Sequence, residues 1–181
     1  EPNMARTIAD MVRGYKMHTV DLHFAYGKWY DFYNFNNVSA APEIINYVCE
    51  KKNVDPEDLR IMGPDLGSQT RFNIDGMSKK RINSHDIEQE TSEELADKIN
   101  GHPVLVLDDL IETGGTMCGA RKKCFDMGAI AVYAGATSGV LMQGIHRVRN
   151  HYKKDLFLTN TVNRHQYSKI DITPLVYKTI A

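Results

Sequence analysis

The residues between His102 and Thr116 carry the most readable chemistry in this chain of 181 residues. Val104 to Leu107 is a short apolar run rich in β-branched residues, suited to a central parallel strand covered on both faces. Asp108 and Asp109 follow at once. Adjacent strand residues point to opposite faces, and the carboxyl edge of a parallel sheet is where open α/β folds bind ligands. Thr113, Gly114, Gly115 and Thr116 then offer flexible backbone, free N–H groups and two hydroxyls where a helix begins. Such an arrangement holds an anion, most simply a phosphate monoester. Carboxylates for sugar hydroxyls or a metal, next to amides for phosphate, point to a phosphorylated sugar. The spacing is not that of a Walker A loop, and no Lys follows the glycines as that loop needs.

Weaker constellations surround this one. Asp21 and His23 stand two residues apart, and at a strand end their side chains share a face. Together they could hold a divalent cation, directly or through water, or meet a nucleotide phosphate. Mg2+ prefers oxygen and keeps its waters, so His23 suits a place behind the metal or on phosphate. Spacing alone favours an ordinary surface Asp–His hydrogen bond. Asp65, in the turn Gly63 to Gly67, reads equally as a metal ligand or as a helix N-cap worth about 1 kcal/mol; Arg71 follows about two helical turns on. Lys79, Lys80 and Arg81 could close over a polyphosphate from a mobile loop, although such a run by itself is a solvated face. Thr159 to Thr161 could offer hydroxyls and an amide, or simply end a polar strand.

The elements that must position these groups alternate along the chain. A helix is expected over 5–13, a strand over His18 to Leu22, an aromatic and Asn-rich loop over 24–40, and a helix opened by Pro42. A strand from Leu59 to Met62 precedes a helix from Ser68 to Gly76. The polar stretch Lys79 to Glu94 reads as a loop, in part a hairpin. The central strand follows at 103–108, then a helix from Thr116 to Met127 closed by Gly128. Strands at 131–137, 156–160 and 169–172 and a helix from Pro174 complete the series. Strand–helix alternation predicts an α/β domain with a mostly parallel sheet flanked by helices. Hydrophobic content of 42% and charged content of 25% are ordinary for a globular chain. A net charge of -1 argues against broad electrostatic binding to nucleic acid or anionic membranes, and the basic tract His146 to Lys154 reads as a solvated helix face. Cys49, Cys118 and Cys124 lack metal-ligand spacing and fit reduced, packed thiols in a cytoplasmic protein. No apolar run approaches membrane-spanning length.

The strand and loop ending in Asp108 to Thr116 resemble the ribose 5-phosphate and PRPP loop of type I phosphoribosyltransferase-fold proteins. Taken in order, a larger set resembles one family, ribose-phosphate diphosphokinase, also called PRPP synthetase. The set comprises Glu1 to Asp10, Thr19 to His23, Gly63 to Asp65, Lys79 to Arg81, Asp108 to Thr116 and Thr159 to Thr161. The resemblance implies transfer of the β,γ-diphosphoryl group of ATP to the anomeric hydroxyl of ribose 5-phosphate, giving PRPP and AMP with Mg2+ as cofactor. It implies that Asp108, Asp109, Thr113, Gly114, Gly115 and Thr116 bind the sugar phosphate. It also implies that Asp21, His23 and Asp65 position metal and nucleotide phosphates, and that Lys79 and Arg81 are the catalytic pair.

The chain departs from that pattern at three places. Thr137, Ser138 and Gly139 stand where the family has Thr-His-Gly. Asp31 matches one of two further acidic residues, and Asn36 replaces the other. The family has two phosphoribosyltransferase-like halves, and this chain starts late in the first. Residues 1–40 therefore read as the remnant of a preceding half and 41–181 as the domain carrying the ribose 5-phosphate loop. The ATP loops of the first half have no counterpart here, which implies a homo-oligomer or a companion segment and impaired synthesis without one. Residues 1–40 and the terminal helix would lack packing partners and expose apolar surface. Two other functions fit the same loop: a phosphoribosyltransferase consuming PRPP, and a non-catalytic regulatory relative.

Overall fold

The computed structural model describes residues 4–23, 33–81, 87–90, 92–141, 145–163 and 167–180. Its centre is a six-stranded sheet, every pairing of which is parallel. In spatial order the strands are β10 (Ser168–Ile170), β9 (Leu156–Thr159), β8 (Ala131–Gly139), β7 (Pro103–Ile111), β3 (Arg60–Gly63) and β4 (Asp75–Gly76). The expected mostly parallel sheet flanked by helices is the one observed.

The apolar run at 104–107 lies buried in the middle of this sheet because both of its faces are covered. Val104 and Val106 join a core with Met117, Ala120 and Cys124 of α5 (Gly115–Asp126) and Leu95 and Ile99 of α4 (Glu93–Ile99). Leu105 and Leu107 join the opposite core, with Ile44 and Val48 of α2 (Ala41–Lys52) and, at its margin, Leu175 and Val176 of α7 (Thr173–Ile180). By the same alternation Asp108 shares parity with the first set and Asp109 with the second. The helix α6 (Ile145–Tyr152) is the basic tract expected to be a solvated face; it also buries Val148 and Tyr152, whose hydroxyl donates to the Met117 carbonyl at 2.7 Å.

Close approach of α2 to the sheet requires Gly135. A Cβ there would stand 2.6 Å from Ile44 Cγ2 and 3.1 Å from Leu105 Cδ1. Gly135→Ala is expected to destabilise the fold by about 1–3 kcal/mol through overpacking, read as a lower midpoint in urea unfolding.

Two segments differ from the sequence expectation. Part of the expected loop at 24–40 is a strand, β2 (Phe35–Val38), paired in parallel with β1 (Met17–Val20) in a separate two-stranded sheet. The helix after Asp65 is shorter than expected: α3 spans Leu66–Phe72, ends on Asn73 in the left-handed region at φ 52° and yields to β4. Within 79–94, read as a loop and in part a hairpin, β5 (Ser78–Arg81) and β6 (Ile87–Glu90) pair antiparallel as a hairpin does, and α4, which the sequence reading does not include, follows with its N-cap Ser92 accepting the Leu95 amide at 3.1 Å. Near the amino terminus, α7 lies against β1 and β2, with His18 Nδ1 and Thr179 Oγ1 3.2 Å apart. The helix α1 (Met4–Met11) buries Ala9 and leaves Met4, Ile8 and Met11 exposed. Among the described residues no helix is long and apolar enough to cross a membrane.

Candidate functional site

Strand β7 delivers Asp108 and Asp109 to the carboxyl edge of the sheet, where a cavity of about 470 Å³ opens. Asp65, Arg71, His23, Thr113, Gly114 and Thr116 are among the residues lining it. Pairing of β3 with β7 brings α3 alongside, which is how Asp65 and Arg71, remote in sequence, reach the same space.

The two carboxylates differ in their surroundings. Asp109 is 4% exposed and is gripped twice: Arg71 Nη1 donates to Oδ1 at 2.6 Å, and His23 Nδ1 lies 2.7 Å from Oδ2. Asp108 accepts the Asp109 amide at 3.0 Å through Oδ1, and Arg71 Nη1 is farther from it, at 3.9 Å. Its carboxyl is pushed up to about 8, first by burial, then by the negative charge of Asp109 and, more weakly, that of Asp65. Asp65 is the N-cap of α3, in a reciprocal box in which its side chain accepts the Ser68 amide at 3.1 Å and Ser68 Oγ accepts the Asp65 amide at 3.2 Å. The capping role and a place in the cavity thus coexist in one side chain.

Mg2+ fits this donor set in one way. Among the described residues no group of three or more His, Cys, Asp or Glu is gathered tightly enough to cage a metal ion. Yet Asp65, Asp108 and Asp109 crowd negative charge into one cavity, and Asp108 registers the strain as a raised carboxyl. Oxygen donors in that number suit a cation shared with a ligand's phosphates and its own waters.

The loop after β7 has the features of an anion cradle. Gly114 is the N-cap of α5 at φ 72°, in the left-handed region that glycine enters without penalty, and no side chain caps the helix there. Thr113, Gly114 and Thr116 face the cavity. The Arg147 guanidinium of α6 stands beside this turn, 3.3 Å from where a Gly115 Cβ would be.

Several expected residues are placed elsewhere. Asp21 does not line the cavity; it is 6% exposed, and its Oδ2 accepts the Ala40 amide at 3.0 Å and the Thr137 hydroxyl at 2.5 Å. Thr159 and Thr161 turn their hydroxyls to the Thr137 carbonyl, both at 2.6 Å. Asn36 lies in the small sheet beside His18. The backbone of Lys79 and Arg81 belongs to β5, but their side chains, like Asp31, lie outside the described residues. Arg71 and Arg147 received no role from sequence. Arg71 sits in the last turn of a short helix, and Arg147 in a tract that composition assigns to solvent.

No family model matches the chain. A ribose-phosphate pyrophosphokinase of Methanopyrus kandleri is 31% identical over 172 residues, covering 90% of this chain and 57% of the relative. The chain belongs to the ribose-phosphate pyrophosphokinase family. A second pyrophosphokinase, from Caldanaerobacter subterraneus, is 28% identical over 184 residues, covering 94% of this chain and 57% of its own. The fold agrees: a phosphoribosylpyrophosphate synthetase of Mycobacterium smegmatis superposes at a TM-score of 0.74 over 99% of this chain and 63% of that one, with 23% identity. The chain thus spans a little over half the length of these pyrophosphokinases.

Proposed function

We propose that the chain serves the synthesis of PRPP, by transfer of diphosphate from ATP to the anomeric hydroxyl of ribose 5-phosphate with release of AMP. The observation that supports this most is the continuity of β7 with the start of α5: a carboxylate pair and an uncapped helix start share one cavity. The amides of Gly114 to Thr116 would take the 5-phosphate, and the Asp108–Asp109 pair would meet the ribose hydroxyls. Phosphoryl-type transfer asks a protein for positioning and charge neutralisation more than for covalent chemistry. Asp65 would hold Mg2+ with the nucleotide phosphates, and His23 would stand behind the metal or on phosphate. Mg2+ supplies neutralisation of the charge that builds up on the transferred group. Lys79 and Arg81, on their hairpin, would bring further positive charge to the same group.

The test is incubation with Mg-ATP and ribose 5-phosphate. AMP formation is expected, slowed at least about tenfold by Lys79→Ala. Diphosphate released from PRPP in the presence of a purine or pyrimidine base would assign the chain to the phosphoribosyltransferases instead. Silence in both assays with retained ribose 5-phosphate binding would mark a regulatory relative or the need for a companion segment.

A further inference from the structure

The far end of α6 borders a second cavity, of about 610 Å³, lined by Arg149, Asn150, Lys153, Lys154 and Tyr167. Lys153–Asp155 form a short 3-10 turn that leads into the amino end of β9, and Tyr167 directly precedes β10. Since all pairings in the sheet are parallel, this is the edge opposite the one that carries Asp108. We propose that this cavity is a binding site for a polyphosphate anion, separate from the cavity at Asp108. The proposal does not rest on the synthesis of PRPP.

The charge gathered here has no counterpart in the fold. Arg149, Lys153 and Lys154 are exposed, and among the described residues none of the three meets a carboxylate. Asp155, the acid beside them in sequence, is engaged by Lys52. The dipole of α6 places roughly half a negative charge at this end, against three cations facing one cavity. Like charges so placed repel one another. Lys153 also holds φ at 48°, a left-handed conformation that a long side chain adopts only at a cost. The backbone cannot relax away from either burden, because Val148 and Tyr152 on one side and Leu156 on the other are buried in the core. Strain and unrelieved repulsion at one place are offset when an anion binds between the cations.

The chemistry of the lining selects the anion. A single phosphate brings a charge of about -1.5 to -2, too little for three cations, whereas a chain of two or more phosphates matches them. Arg149 can take one phosphate through two parallel hydrogen bonds, and the lysines act as point charges along the rest. The Asn150 amide and the Tyr167 hydroxyl add uncharged donors. The phosphates can arrive as free polyphosphate or as the tail of a nucleotide, whose base would stack on the Tyr167 ring.

Calorimetric titration with inorganic tripolyphosphate, without Mg2+ and at constant ionic strength, tests the site. The unaltered chain should bind, and inorganic phosphate should bind at least about tenfold more weakly. Arg149→Gln combined with Lys153→Asn should weaken tripolyphosphate binding at least about fivefold. Asn tolerates the left-handed backbone at 153, so the urea midpoint of this variant should not fall. Lys154→Gln alone, at an exposed position, should weaken binding about two- to threefold and decides the matter if the double variant unfolds. Absence of binding to the unaltered chain overturns the proposal, and so does unchanged affinity in the folded variants. Cytidine triphosphate separates the two sources. Binding tighter than that of tripolyphosphate, with the excess lost in Tyr167→Leu, assigns the site to a nucleotide; equal affinities assign it to free polyphosphate.

Discussion

Asp108→Asn raises the melting temperature of the ligand-free protein by about 2–8 °C at neutral pH while weakening ribose 5-phosphate binding about 10–100-fold. The two effects share one cause. Burial and the neighbouring charges of Asp109 and Asp65 raise the Asp108 carboxyl from 3.8 to about 8. In an unfolded chain the same group ionises near its ordinary value. The stability that Asp108 contributes is therefore fully present below 3.8 and is lost as pH rises towards about 8. Asn cannot ionise and escapes that loss, so the two melting curves should separate progressively across this interval and run parallel above it. Thermal melts at a series of pH values provide the measurement. Identical pH trends for the two proteins would show that the Asp108 charge is not held at the expense of the fold. A carboxylate kept in so unfavourable a place is best explained by a ligand that relieves it, and loss of sugar binding in the stabilised variant is the counterpart of that argument.

The same pair of aspartates shows what sequence reveals here and what it hides. Val104 to Leu107 announces a buried strand because both faces must be apolar, and glycines after an acidic pair announce an anion loop because few other residues suit that backbone. Those are local properties, and the structure places the elements there as expected. The role of Arg71 is not local. Its partner Asp109 lies 38 residues away, and the two meet only because β3 and β7 are paired. Nothing in a seven-residue helix reports that its last-turn cation is buried. The helix α4 escaped notice for a different reason: Leu95 and Ile99 are its buried residues, and Glu93, Glu94, Asp97 and Lys98 give it the composition of a loop. In β2, Asn36 and Asn37 interrupt the alternation that would mark a strand, and pairing with β1 overrides that weak propensity. Asp21 was legible as a chemically capable residue but not in its surroundings, since Ala40 and Thr137 come from other elements.

Asp21 therefore carries the second large expectation. Asp21→Ala should destabilise the protein by about 2–4 kcal/mol and Asp21→Asn by about 1 kcal/mol or less. Asp21 holds φ at 45°, a left-handed conformation that Asp and Asn tolerate better than other side chains do. Its Oδ2 receives the Ala40 amide and the Thr137 hydroxyl. Ala40 is the N-cap of α2 and makes no side-chain cap hydrogen bond, so Asp21 brings a carboxylate to that helix start from another element. Alanine would leave two buried donors without their acceptor and add backbone strain, whereas asparagine keeps an acceptor and the conformation. A metal role predicts no such ranking: Asn and Ala would weaken Mg2+ binding alike, and neither would shift the urea midpoint much. Urea unfolding of the three proteins, with Mg2+ titrated into each, separates the two. If the Ala variant unfolds early and the Asn variant does not, Asp21 reaches the cavity only through the chain, by pinning the segment that ends at His23. That segment is then held at both ends, by Asp21 on the α2 and β8 side and by His23 on the Arg71–Asp109 pair.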